Sequence, residues 1–188
     1  SLSESNSVNL VHASPGNAGT AISGTNHPVP VSDIEGIISL AKDLGVDLVV
    51  VGPEGPLVAG LSDRLEEEDI ACFGPNSIGA KLEGSKLYAK EIMKSLNIPT
   101  AGLIVVENIE RIDDALDTFS PPWVVKRDVL AGGKGVVVTS DREEAKTFIA
   151  TSIASDGKVL LEDFLPGEEA SMLVIMDGTD FVTLPCSQ

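Results

Sequence analysis

The sequence predicts an α/β protein in two parts, a parallel α/β unit followed by an α+β unit. Its first half alternates short β-rich runs with stretches of helical period, the pattern of βαβ units around a parallel sheet. Beyond residue 76 that alternation gives way to a longer helical stretch, and then to strands grouped with two more helices. The chain has 188 residues, 43% of them hydrophobic. That suffices for a sizeable core, since a domain of about 150 residues hides about two-thirds of its unfolded surface. Eighteen glycines and eleven prolines are too few for a disordered or collagen-like chain. Composition leaves one large domain or two small ones open.

Val8 to Ala13 reads as the first strand. Ile34, Ile37, Ile38, Ala41 and Leu44 keep helical spacing, and Ser32 with Glu35 forms a capping box at the start of that helix. Val46 to Val51 is a buried strand, Pro56 to Glu68 a helix, and Ile70 to Phe73 a short strand ending at Gly74-Pro75. Asn76 to Leu96 is helical with a break near Glu83-Gly84, and Asn97-Ile98-Pro99 stops it. Strand-like Leu103 to Val106, helix-like Ile109 to Phe119 and strand-like Trp123 to Lys126 follow. After a glycine-rich turn come a strand over Gly135 to Thr139 and a helix to about Thr151, which Ser140 and Glu143 cap as a second box. Lys158 to Phe164, Glu169 to Met176 and Asp180 to Leu184 read as three more strands. The expected division is 1–7 unassigned or disordered, 8–80 a partial α/β domain, 81–100 a helical connection, 101–165 a small subdomain and 166–188 the interrupted start of another.

A formal charge of −16 repels polyanions, which argues against nucleic acid as a general partner. Seven of the thirteen basic residues lie in two windows: Lys81, Lys86, Lys90 and Lys94, then Lys126, Arg127 and Lys134. Each window is either a solvated helix face or a local anion site. Cys72 and Cys186 show no C-x-x-C spacing, which fits a reducing compartment. No apolar run reaches the roughly 18 residues of a membrane span, and the serine-rich start lacks the basic and apolar regions of a secretory signal. The absent initiator Met points to a cut or processed start, and the stop at Gln188 straight after an apolar run to an interruption.

Three segments bear on chemistry. Ala131-Gly132-Gly133-Lys134-Gly135 lies between two strands, where glycines let backbone N–H groups approach phosphate oxygens. It is not a Walker A loop, because Gly135 follows Lys134 where Ser or Thr is required; an ordinary hairpin turn fits it equally. Lys126 ends the run Trp123-Val124-Val125 and Lys86 opens a helix, so the two are fixed on separate elements and form a clamp for nucleotide phosphates. Either lysine alone reads as a surface residue. From Leu160 to Glu169 a strand leads into an acidic turn, which offers backbone groups to a base edge and a carboxylate to ribose hydroxyls, or is one more solvated acidic turn. His12 and His27 have no partners at catalytic spacing, Trp123 stands where a core anchor is expected, and Cys72 reads as packing.

Taken together these segments resemble the ATP-grasp superfamily and, in detail, glycinamide ribonucleotide synthetase. Pro15-Gly16-Asn17-Ala18-Gly19-Thr20, Val51-Gly52-Pro53-Glu54-Gly55-Pro56-Leu57, Phe73-Gly74-Pro75, Leu82-Glu83-Gly84-Ser85-Lys86 and Ile98-Pro99-Thr100 are similar to that family's blocks in that family's order. The likeness covers nearly the whole chain from about Val8. It implies a partial pre-ATP-grasp α/β domain followed by the first half of an ATP-grasp domain. It further implies that Lys86 and Lys126 contact ATP phosphates under the loop bearing Gly132, Gly133, Lys134 and Gly135. Glu162, Asp163 and Leu165 would lie at the adenine hinge, and Glu169, seven residues beyond Glu162, on the ribose. Gly16, Asn17, Gly19, Thr20, Gly52, Pro53 and Glu54, in loops after strands, would bind phosphoribosylamine.

The implied reaction joins glycine to phosphoribosylamine through glycyl phosphate, in de novo purine synthesis, with ATP and Mg2+ or Mn2+. The implied compartment is the cytoplasm, or the plastid for a plant source. Whether the complete protein carries further purine-pathway domains stays open. Two departures stand out. The family's Lys-Ala-Asp-Gly-Leu-Ala-Ala-Gly-Lys-Gly is here Lys126-Arg127-Asp128-Val129-Leu130-Ala131-Gly132-Gly133-Lys134-Gly135, with Val129 in place of glycine. The family's first strand with its glycine-rich turn, and its downstream metal-binding acids, have no counterpart in these residues. No catalytic residue or metal ligand is therefore assigned, and little ligase turnover is expected of the 188 residues alone. Two other readings remain: a different ATP-grasp carboxylate–amine ligase, which the Gly52 to Leu57 block disfavours, and a non-catalytic nucleotide-binding or interaction module.

Overall fold

The computed structural model describes residues 2–130 and 135–188. These separate into two units, one taking the described residues of 1–100 with 127–135, the other 101–126 with 136–188.

The first unit contains two parallel strand pairs. β1 (His12–Ala13) pairs with β2 (Thr25–Asn26), the short helix α1 (Thr20–Ser23) lying between them in sequence. The strand expected over Val8 to Ala13 is thus only two residues long, and α1 and β2 were not foreseen. α2 (Ile34–Leu44) follows, then β3 (Leu48–Val50), α3 (Glu54–Val58), α4 (Leu61–Glu67) and β4 (Ala71–Phe73), which pairs with β3. α2 starts on Asp33, whose carboxylate accepts from Gly36 N–H at 2.9 Å. The Ser32–Glu35 box does not form, because the helix begins one residue later and Glu35 pairs with Arg64 instead. α2 ends at Gly45 in the left-handed region (φ 59°), where a residue without Cβ is unstrained. The helix expected over Pro56 to Glu68 is split into α3 and α4 by Gly60 at φ 92°. Ile38 and Ala41 of α2 meet Leu61 and Leu65 of α4, with Val49 and Cys72 of β3 and β4 packed against them. Cys72 is packing, as expected.

α5 (Ser77–Gly84) and α6 (Lys86–Ser95) divide the long helical stretch at Ser85, one residue past the foreseen break. Asn76 caps α5 by accepting from Gly79 N–H, and Asp63 accepts from Ser77 N–H at 2.7 Å. These bonds fasten the Phe73-Gly74-Pro75 junction to α4.

The second unit is built on one antiparallel sheet in the order β5-β8-β6-β7: β5 (Leu103–Val106), β6 (Trp123–Lys126), β7 (Val136–Thr139) and β8 (Val159–Glu162). α7 (Ile112–Thr118) and α8 (Arg142–Asp156) pack against it. Strand residues alternate between faces. Trp123, Val125, Val159 and Leu161 therefore join Leu116, Ala145 and Ile149 in the core, while Val124, Lys126, Leu160 and Glu162 share the opposite face. Trp123 is the core anchor expected, and its indole N–H lies 3.0 Å from both Leu116 O and Phe119 O. α8 is capped by Asp141, which accepts from Glu143 and Glu144 N–H, not by Ser140. It runs to Asp156, five residues past the expected end, and stops at Gly157 (φ 80°). β9 (Val174–Met176) and β10 (Phe181–Thr183) form a separate antiparallel hairpin whose residues are all exposed. Among the described residues no helix is long and apolar enough to cross a membrane.

Candidate functional site

In the first unit the loop from Pro15 to Thr20 closes on itself. Asn17 Oδ1 accepts from Gly19 N–H at 2.8 Å and Thr20 N–H at 3.1 Å. Asn26 Nδ2 donates to Asn17 O at 2.8 Å, and the Thr20 hydroxyl lies 2.8 Å from Asn26 Oδ1. Gly16 sits at φ 73°, where a Cβ would run into the Asn26 side chain. Asn17 therefore shapes the loop with its side-chain oxygen and leaves Gly16, Gly19 and Thr20 in a fixed turn. A cavity of about 310 Å³ is lined mainly by apolar side chains, among them Ile37, Leu40, Leu44 and Leu48, together with His12, Ser14, Gly52 and Pro53. Gly52 and Pro53 thus border a cavity at the strand ends; Gly16, Asn17, Gly19, Thr20 and Glu54 do not line it. Glu54 is exposed in the first turn of α3. The two histidines, unpaired in the sequence reading, meet here: His12 Nδ1 and His27 Nε2 are 3.0 Å apart across β1 and β2. Their separation of fifteen residues gave no signal of this, because α1 and β2 were missed.

The same unit holds Lys86 at the first position of α6. Its ammonium donates to Val129 O at 3.2 Å. Asp128 accepts from Leu87 N–H and from the Ser85 hydroxyl, both at 3.1 Å. The entry of the glycine-rich loop is thereby fastened to the first turn of α6, through an acid that sequence reasoning left without a role. At the loop's other end Gly135 is buried, and its carbonyl accepts from Arg127 N–H at 2.7 Å. Gly132, Gly133 and Lys134 lie outside the described residues. Asp69 and Asn97 are the non-glycine residues with positive φ among those described, so Val129 sits in the family's glycine position without left-handed backbone.

In the second unit Lys126 Nζ stands 3.1 Å from Glu162 Oε2. The register sets Lys126 opposite Leu160 and Val124 opposite Glu162, so the two charges form a diagonal pair on the sheet face away from the helices. Glu162 is 3% exposed, whereas the Lys126 side chain is 29% exposed and keeps access to solvent. Buried carboxylates require partners of this kind. After Glu162 the chain leaves the sheet: Asp163 N–H donates to Gly102 O at 3.1 Å, and residues 163–170 carry no helix or strand. Phe164, Leu165 and Glu169 are exposed there. Among the described residues no group of three or more His, Cys, Asp or Glu side chains is arranged to hold a metal ion.

An antiparallel sheet backed by two helices, with a lysine at one strand end, a glycine-rich sequence after it and an acidic segment after another strand, is the arrangement of the first part of an ATP-grasp domain. Residues 1–83 match the family model for the phosphoribosylglycinamide synthetase N domain, and residues 84–188 that for its ATP-grasp (A) domain. The chain belongs to the phosphoribosylglycinamide synthetase family, a family of ligases. It is 44% identical over 188 residues to the phosphoribosylamine–glycine ligase of Mycobacterium leprae, covering 97% of this chain and 44% of the relative. The Streptomyces coelicolor ligase is 45% identical, with 100% and 44% covered. The crystal structure of the Thermotoga maritima phosphoribosylamine–glycine ligase superposes with a TM-score of 0.72 at 36% identity, over 94% of this chain and 43% of that one. An ADP complex of N5-carboxyaminoimidazole ribonucleotide synthetase shares the fold, with a TM-score of 0.72 at 23% identity over 90% and 44%. The chain thus spans about 44% of the length of the curated relatives.

Proposed function

We propose that this chain supplies the N domain and the first part of the ATP-grasp domain of a phosphoribosylamine–glycine ligase, which joins glycine to 5-phosphoribosylamine with ATP to give glycinamide ribonucleotide, ADP and phosphate. The observation that carries the reading is the lysine held by buried Glu162 at the point where β6 runs into the glycine-rich loop. A cation fixed on a sheet loses little entropy on meeting a phosphate, and a partly desolvated site strengthens the attraction.

In this reading ATP supplies the phosphoryl group that activates the glycine carboxylate. Lys126 and Lys86 neutralise phosphate charge, the loop bearing Gly132, Gly133, Lys134 and Gly135 covers it, and Glu162 aims Lys126. Asp163, whose N–H is held by Gly102 O, offers its carbonyl and Leu165 its backbone to the adenine edge beside the exposed Phe164 side chain, and Glu169 accepts from ribose hydroxyls. Gly16, Asn17, Gly19, Thr20, Gly52, Pro53 and Glu54 belong to the phosphoribosylamine side, where the hydrogen-bonded Asn17 turn supports a small polar ligand. Magnesium accompanies the nucleotide, and no residue of this chain is assigned to it. Positioning and electrostatics provide most of the rate gain in phosphoryl transfer, so these residues act by holding charge in place.

Titration of the chain with magnesium ATP by calorimetry tests the reading. The expected result is saturable binding that is lost in a Lys86→Ala, Lys126→Ala variant whose circular dichroism matches the wild type. A cooperatively folded wild type that binds no ATP would overturn it in favour of a non-catalytic interaction module.

A further inference from the structure

The carboxylate of Asp128 closes the first turn of α6 from 41 residues away in sequence, as measured to Leu87. Oδ1 takes the Leu87 N–H at 3.1 Å, and both oxygens lie near the Ser85 hydroxyl, at 3.1 and 3.2 Å. Ser85 Oγ in turn accepts from Tyr88 N–H at 3.1 Å. Two of the N–H groups that a helix start leaves without intrahelical partners are thereby occupied, and the negative charge faces the positive end of the helix dipole. The α6 start is therefore taken, and is not itself a cradle for a phosphate. What it presents instead is Lys86, in the same turn, with its ammonium on Val129 O, one residue past Asp128.

That bond is of a replaceable kind. An ammonium–carbonyl contact is weaker than one between an ammonium and a phosphate, because the latter joins two charges. A carboxylate close to a phosphate site would ordinarily oppose binding; here its oxygens are engaged by N–H and O–H donors, which spread its charge into the helix end. We propose that Asp128 is a positioning residue of the nucleotide site: it pins the loop entry to α6, so that Lys86 waits at Val129 and passes from its carbonyl to a nucleotide phosphate. The inference rests on the nucleotide reading above and adds to it the residue that couples Lys86 to the loop.

The test compares magnesium ATP with adenosine, by calorimetry, on the 188-residue chain. A role in aiming Lys86 predicts that Asp128→Ala weakens ATP binding by about tenfold, the factor that corresponds to one lost charge-assisted contact, and leaves adenosine binding unchanged. Asp128→Asn keeps an acceptor for the Leu87 N–H and should fall between the two; it also serves if the alanine variant does not fold. Unchanged ATP affinity in a folded Asp128 variant, or equal losses for ATP and adenosine, would overturn the proposal and leave the nucleotide reading intact. A wild type that binds no ATP, or a Lys126→Ala variant that binds it as well as wild type, would overturn the nucleotide reading and this role with it.

Discussion

Lys126 and Glu162 each depend on the other for the state in which they are found. The carboxylate is 3% exposed and faces the ammonium at 3.1 Å, so removing the lysine leaves a desolvated negative charge without that cation. Lys126→Ala should therefore cost about 2–3 kcal/mol of stability in urea unfolding, below the fully buried case because the lysine retains some solvent. Adding Glu162→Gln to Lys126→Ala should recover most of the loss; no recovery would mean that the pair is not the cause. The same separation matters for nucleotide binding, since the double variant should fold and still lack the cation. At this scale the sequence was partly readable. Lys126 stood out through its apolar strand and the loop after it, whereas Asp128 gave no sign of its cap, because nothing local links it to Ser85 and Leu87.

Among the elements, α7 and α8 are joined by a charge cluster at one end. Asp113 lies 2.9 Å from Lys146 Nζ and 2.8 Å from Arg142 Nη2, and Asp117 also meets Arg142 at 2.8 Å. Hydrogen bonds from Lys146 and then Arg142 hold the Asp113 carboxyl below its ordinary value. A depressed carboxyl stabilises the fold above its unfolded pKa of about 3.9, and that contribution is lost as the pH falls through the lower folded value. The melting temperature of Asp113→Asn should thus lie below that of wild type near neutral pH, and the gap should close in acid. Because these groups are solvated, added salt should narrow the gap as well. A gap that persists at low pH would point to packing instead of charge. Element types were legible from periodicity, but the caps moved by one residue: Asp33 and Asp141 took the positions given to Ser32 and Ser140, each with its carboxylate accepting from N–H groups of the first turn.

For the whole molecule, the distribution of apolar surface is uneven. The β9–β10 hairpin exposes Met176, Phe181 and Val182 at 65–70%, and both its strands are edges. Such a surface favours association with other chains. Sedimentation velocity of the 188-residue chain should show concentration-dependent self-association, reduced in Phe181→Lys, Val182→Lys. A chain that stays monomeric up to about 100 µM, a range in which exposed strand edges associate, would remove the hairpin as an interaction surface.

By itself the sequence determined the class of fold, the break before α6, the strands β5 and β6 to the residue, and the family, because these follow from local periodicity and from motifs whose order is written along the chain. The tertiary structure alone decided which charges meet. It brought His12 to His27, Asp128 to α6 and Lys126 to Glu162, and it resolved the foreseen parallel sheet into two separate strand pairs. The physical reason is range: a helix or strand is selected by neighbours within a few residues, whereas an ion pair or a cap between distant segments exists only once strand register and helix packing have fixed where both partners stand.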